Sequence, residues 1–173
     1  MRIIFFLISF IFVAQANSTY ANTNLAFIDL DKILSTSKPG SSIINQLDKV
    51  NNLNLKNFQN QANNLKKKET KLISQKNILS NEDFESSINN LKIEIEKYNN
   101  DRNKIINEFN QMKIVNTNTF LKMINPILME YSNQESIAII FHKKDLIIGK
   151  TELDITDEII KIINIKVAEF KIQ

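Results

Sequence analysis

LAFIDLDKILSTSKPG, residues 25–40, decides the fold of this chain. Its opening, LAFIDL, is apolar apart from Asp29 and reads as a short buried strand. DKILSTSK then carries on as about two turns of amphipathic helix. Lys38 precedes a proline, which disfavours the α region there. Gly40 completes the break, and Ser41 or Ser42 is placed to cap a new helix. After Gly40 neither glycine nor proline recurs until Pro126. A chain of 173 residues with only two of each is built from long uninterrupted elements with few tight turns.

The element after Gly40 has a seven-residue rhythm. Ile44, Asn51, Phe58, Leu65, Leu72 and Leu79 share one line, and Leu55 and Ala62 an adjacent one that continues as Glu69 and Lys76. Ser80 with Asp83 three residues on resembles a capping box, and Glu82, Asp83 and Glu85 suit a helix N-terminus. Residues 79–81 are therefore the predicted reversal. On the return, Phe84, Ile88, Leu91, Ile95, Tyr98, Arg102, Ile105, Phe109 and Met112 alternate steps of four and three, a coiled-coil seam. The pattern slips at Asn116 and Thr119 like a stutter, then resumes at Phe120, Ile124, Ile127, Leu128 and Tyr131. Pro126 removes one helical hydrogen bond and predicts a bend near Lys122. At about 1.5 Å per residue each arm of this hairpin is about 55–70 Å long. Asn51, Glu69, Lys76, Arg102 and Asn116 interrupt the seam and weaken it, which predicts a mobile arm with reachable apolar side chains.

The last part changes character. Residues 136–151, SIAIIFHKKDLIIGKT, read as a β-hairpin around His142-Lys143-Lys144-Asp145, with Gly149 at a bulge or a close backbone approach. A helix follows, capped by Asp154 or Thr156, with Ile159, Ile160, Ile163, Val167 and Phe170 as its stripe. The expected fold class is α+β: a short three-stranded sheet, a helix packed on it, and a long protruding antiparallel helical coiled-coil hairpin. Residues 22–40 and 132–173 form a body, and residues 41–131 form the hairpin. Three short strands, apolar on both faces, leave open edges that one helix cannot cover. Oligomerisation is the economical solution, through Phe27, Ile28, Ile139, Phe141, Leu146 and Ile148.

The start of the chain reads as a targeting segment, residues 1–21. Arg2 is followed by a twelve-residue apolar run, residues 3–14, and by small-residue cleavage sites ending at Ala16 or Ala21. Cleavage after Ala21 leaves a polar region and a free start before the strand. An uncleaved anchor needs about 20 apolar residues to span a bilayer. Removing Arg2, the only charge in the segment, takes the net charge from +3 to +2, too little to argue for nucleic acid. There is no cysteine, so neither a disulfide framework nor a thiol nucleophile is available.

No catalytic constellation is visible, and the chain reads as a non-enzyme without cofactor. His142 is the single histidine, in a predicted turn, with no ligand set around it. Neither glycine lies in a phosphate-binding loop. Glu94 with Glu96 read as solvated charges, since residues two apart on a helix do not face each other, and so do Asp29 and Asp31, which have no pocket context. The notable charge run is Lys66, Lys67, Lys68, Lys71 and Lys76. Residues 56–76 hold six lysines against Glu69, whereas residues 80–96 hold five acids against Lys92. The plainer reading is a solvated surface; the functional one is a basic patch for anionic lipid or acidic client segments.

Three stretches, LAFIDLDKILSTSKPG with the long helix after it, INPILMEYSNQESIAIIF, and LDITDEIIKIIN, resemble the Skp/OmpH family of periplasmic chaperones. The resemblance runs from about residue 25 to 163, with its specificity at the two ends. It implies a homotrimer whose strands form a central body and whose hairpins enclose a cavity. It further implies an ATP-independent holdase for unfolded outer-membrane proteins in the periplasm. The acidic tip departs from the family, whose tips are basic. A structural coiled-coil envelope protein, tethered by an uncleaved N-terminal segment, is the alternative.

Overall fold

The computed structural model describes residues 24–173, so the predicted signal segment and both cleavage sites lie outside the described residues. The element order is β1 (Asn24–Ile28), α1 (Leu30–Thr36), α2 (Lys38–Ser74), α3 (Asn81–Gln134), β2 (Ile137–His142) and α4 (Thr156–Lys166). Two single 3-10 turns, Lys143–Asp145 and Thr151–Leu153, separate β2 from α4. The strands pair in parallel, Leu25 opposite Ile139 and Phe27 opposite Phe141. Parallel neighbours require a crossover, and here α1 and the whole two-helix arm supply it.

The opening stretch breaks at Ser37, ahead of its proline and glycine. Ser37, not Ser41 or Ser42, is the extended residue that caps α2, with φ −68° and ψ 149°. Its hydroxyl accepts from the Gly40 N–H at 3.3 Å. Pro39 falls in the first turn of α2, where a missing N–H leaves no helical bond unmade. Gly40 is needed for space: a Cβ there would sit 2.2 Å from the carbonyl oxygen of Leu34. The serine cap and the missing side chain together let α1 turn directly onto α2.

The described residues hold two strands, not three. Residues 146–150, with Leu146 and Ile148, form no strand. The charged turn explains the difference. Leu146 N–H closes a 3-10 turn onto Lys143 O at 3.1 Å, and His142 Nδ1 accepts from Lys144 N–H at 3.1 Å. Lys143 Nζ reaches Asp154 at 3.2 Å and Asp29 at 3.9 Å. These contacts draw the chain over β1 instead of back along β2. Gly149 crosses the ring of Phe27 so closely that a Cβ would lie 2.8 Å from it. The far edge of β1 receives one bridge, Phe27 to Asp154, with Ile155 N–H donating to Phe27 O at 3.1 Å.

The core lies where both strands, α1, α4 and the root of the arm meet. Ile33, Ile43, Phe120, Ile124, Ile159 and Ile163 are fully buried there, beside Ala26 and Ile28. Ile43, Leu47, Phe120, Ile124 and Ile127 come from the long helices, so body and arm root share one core.

The two stretches that bracket the fold meet in a short polar relay. Asp29 N–H donates to Thr156 Oγ1 at 2.9 Å. The Thr156 hydroxyl donates in turn to Asp154 Oδ1, which also accepts from Thr156 N–H at 3.1 Å. Asp154 is held below the usual carboxylate value of 3.8. Partial burial works against its ionisation, but the Thr156 hydroxyl, the Thr156 N–H and Lys143 outweigh it. With a folded pKa below the unfolded one, this stabilisation is complete above 3.8 and is lost as pH falls through the folded value. Thr156→Val is expected to lower stability by about 1–3 kcal/mol, because the Asp29 N–H loses its acceptor. Urea unfolding at neutral pH measures this loss. Asp154→Asn should lose less on acidification than the parent chain does, and an identical acid slope would show that Asp154 contributes nothing.

Helix α4 ends at Lys166, four residues short of the stripe predicted to Phe170. Residues 167–173 leave it without regular secondary structure and run onto the root of the arm, where Gln46 and Asn116 hold them.

Candidate functional site

The arm is an antiparallel pair, α2 of 37 residues and α3 of 54, the latter continuous through Pro126. Its reversal, residues 75–80, is closed by the expected cap: Ser80 Oγ accepts from Asp83 N–H at 3.1 Å and donates to Asp83 Oδ2 at 2.6 Å. The line of Phe58, Leu65 and Leu72 meets Phe84, Ile88, Leu91, Tyr98, Ile105, Phe109 and Met112 on α3. Of these only Phe58 is buried, and the rest are half-buried. Two helices enclose a seam from two sides only, so its flanks stay open. The adjacent line of Leu55 and Ala62 faces out. Leu53, Leu55, Ile73, Ile78, Ile93 and Ile114 all expose more than half of their surface. An unpaired apolar side chain on an arm is a weak sticky point, and this arm carries several along its length.

Two polar residues in the seam are more than interruptions. Arg102 stacks over Phe58 with its guanidinium carbon 5.9 Å from the ring centroid, and the Tyr98 hydroxyl donates to Phe58 O at 3.4 Å. Charge and aromatic face are complementary there, so Arg102 supports the pairing. Asn116 is buried, with its amide fully engaged by Met112 O at 2.7 Å and by the backbone of Gln173. Side-chain type announced a weak point in both cases, and only the neighbours reveal the partner.

The five patch lysines divide. Lys66, Lys67 and Lys71 border one shallow depression with Asn63, Thr70 and Ser74. Lys68 turns to the other helix and pairs with Glu94 at 2.5 Å. Lys76 is exposed in the reversal. Glu94 is thereby an arm tie and not half of a carboxylate pair.

The second surface is on the sheet. Ala26, Ile28 and Ile140 face the core. The opposite face carries Leu25, Phe27, Ile139 and Phe141. Of the six residues expected to meet other copies, Phe27 and Ile28 are consumed within the chain, the former beneath Gly149. Leu146 is half-buried. Ile139 is 49% exposed, Phe141 39% and Ile148 90%. Sequence alternation missed Leu25, which extends the same face, and Ile147, which is fully exposed. Among the described residues no cluster of metal-ligating side chains occurs, and no helix is long and apolar enough to cross a membrane.

Comparison with known proteins places this geometry. A crystal structure of a candidate outer membrane chaperone (OmpH-like) from Caulobacter crescentus CB15 superposes with a TM-score of 0.78. The match covers 88% of this chain and 90% of that one at 10% sequence identity, a likeness of fold. No curated protein sequence matches. Residues 24–163 match the family described as Outer membrane protein (OmpH-like). That span takes in β1, the whole arm, β2 and most of α4, and the chain belongs to the OmpH-like family of outer membrane proteins.

Proposed function

We propose that this chain is a non-enzymatic, ATP-independent holdase chaperone of the periplasm, which holds unfolded outer-membrane proteins between its arms and prevents their aggregation before insertion. The observation that carries this reading is the arm itself. It combines a seam open on both flanks with protruding apolar side chains along two helices of 37 and 54 residues. An unfolded outer-membrane barrel exposes alternating apolar strands that otherwise pair with one another. Many weak contacts distributed over several arms retain such a chain through effective concentration, and release needs no chemical step. The exposed sheet face of Leu25, Ile139 and Phe141 supplies the contact by which three copies would gather their arms around one cavity. The lysines Lys66, Lys67 and Lys71 would add an acidic-client or anionic-lipid contact on the outer arm.

The test is aggregation. Processed chain added to an outer-membrane barrel protein diluted from urea is expected to suppress light scattering at about one trimer per client. Undiminished scattering at excess chaperone removes the holdase reading. Fractionation checks the compartment: soluble processed chain is expected, and full-length chain in the membrane would support a tethered spacer instead.

A further inference from the structure

The segment that follows α4 lies outside the family match, which ends at residue 163. It is held in an unusual way. Gln46 Nε2 donates to Phe170 O at 2.9 Å, and Gln46 Oε1 accepts from Ile172 N–H at 3.2 Å. Asn116 repeats the pattern: Oδ1 accepts from Gln173 N–H at 3.1 Å and Nδ2 donates to Gln173 O at 3.1 Å. Each side-chain amide therefore makes the two-bond pairing that a neighbouring strand would make with an extended backbone. One amide stands on α2 and the other on α3, spanning the cleft at the root of the arm. Such contacts read main chain and are indifferent to side-chain identity.

The side chains of the segment supply the rest. Val167, Phe170 and Ile172 pack against the core, while Glu169 and Lys171 face solvent. Beside Gln173 an open, largely apolar groove runs along α3 past Met112 and Val115 towards Asn107 and Lys104. The segment has no secondary structure of its own, and its apolar residues are only half-buried, the signature of a locally weak element.

We propose that the cleft between α2 and α3 at the arm root is a peptide-binding site for extended, apolar-alternating polypeptide. Residues 167–173 are its resident ligand, and a client segment of the same character exchanges with them. The client half of this statement rests on the holdase reading, whereas the site itself does not. An unfolded segment entering from the groove along α3 would take over the Asn116 amide first and the Gln46 amide next. Buried Asn116 is then never left without a partner, which makes stepwise exchange cheaper than opening an empty cleft.

The probe is a fluorescent peptide, VAEFKIQ, copied from residues 167–173. A chain ending at Lys166 is expected to bind it, and the full chain to bind it about tenfold or more weaker, because its own segment occupies the cleft most of the time. A full-length double variant, Phe170→Ser with Ile172→Ser, opens the cleft without shortening the chain and should bind like the truncated one. Asn116→Leu in the truncated chain should abolish the gain while Asp145→Ala, on a remote turn, leaves it. Equal binding by full and opened chains overturns the proposal, as does no binding by either opened form. An unfolded outer-membrane barrel protein should displace the bound peptide from the opened chain. Peptide binding without displacement keeps the site and removes its link to clients, whereas failure of aggregation suppression with peptide binding intact removes the holdase reading alone.

Discussion

Ile139→Asp should convert the proposed trimer into single chains that remain helical. Ile139 stands in β2 opposite Leu25, on the sheet face turned away from the core, and is 49% exposed in the single chain. A carboxylate there meets water in one copy, so the fold itself loses little. Between copies the same carboxylate would be buried without a partner, a cost of about 3–5 kcal/mol at each contact. Three such contacts exceed what a contact of modest size can offset. Light scattering should fall from the mass of the proposed trimer to that of one chain, with the helical circular dichroism signal unchanged. A variant that stays trimeric would place the contact elsewhere on the molecule. Asp145→Ala, in the exposed charged turn, should leave the assembly as it is.

Gly40→Ala is expected to destabilise the chain by about 1–3 kcal/mol, with more lost if α1 cannot shift. The sign matters as much as the size. Alanine in a helix is favoured over glycine by about 0.5–1 kcal/mol, so propensity alone would stabilise the protein. Packing opposes it: the new Cβ would lie 2.2 Å from Leu34 O, 2.8 Å from Leu34 C and 2.8 Å from Ser37 Oγ. Two of these are backbone atoms that no rotamer change can move aside. Urea unfolding of the two proteins decides between the effects, and a stabilised Gly40→Ala would refute the close crossing of α1 on α2. Loss at this crossing should also reach the arm, since Ile43, one turn further on, is part of the core.

Periodicity carried much of the reading. The seam from Phe84 to Met112 is half-buried where steps of three and four put it, except at Ile95 and Arg102, which are exposed, and Ser80 caps α3 as its spacing with Asp83 required. The misreadings have a common cause. The segment LIIGKT is apolar and bounded by turn residues, and by pattern it is a strand. In the structure a lysine, Lys143, ties the preceding turn to Asp154 and Asp29, and the chain crosses β1 without pairing. Asn116 and Arg102 looked like weaknesses because local pattern scores a polar residue without its partner. Those partners, Gln173 and Phe58, lie 57 and 44 positions away in the chain. The relay from Asp29 through Thr156 to Asp154 likewise joins residues 127 positions apart.

Hydrophobic spacing and the rarity of helix breakers were enough to dictate a strand, a short helix and one long helical hairpin, because each of those features is set by neighbours within a few turns. Family membership followed from the same local patterns at the two ends. Tertiary packing alone decided that the strands are parallel, that Phe27 is covered by Gly149, and that residues 167–173 leave the helix to lie across Gln46 and Asn116. Each of those outcomes depends on which distant group satisfies a backbone donor or fills a space beside it, and no stretch of sequence contains both partners.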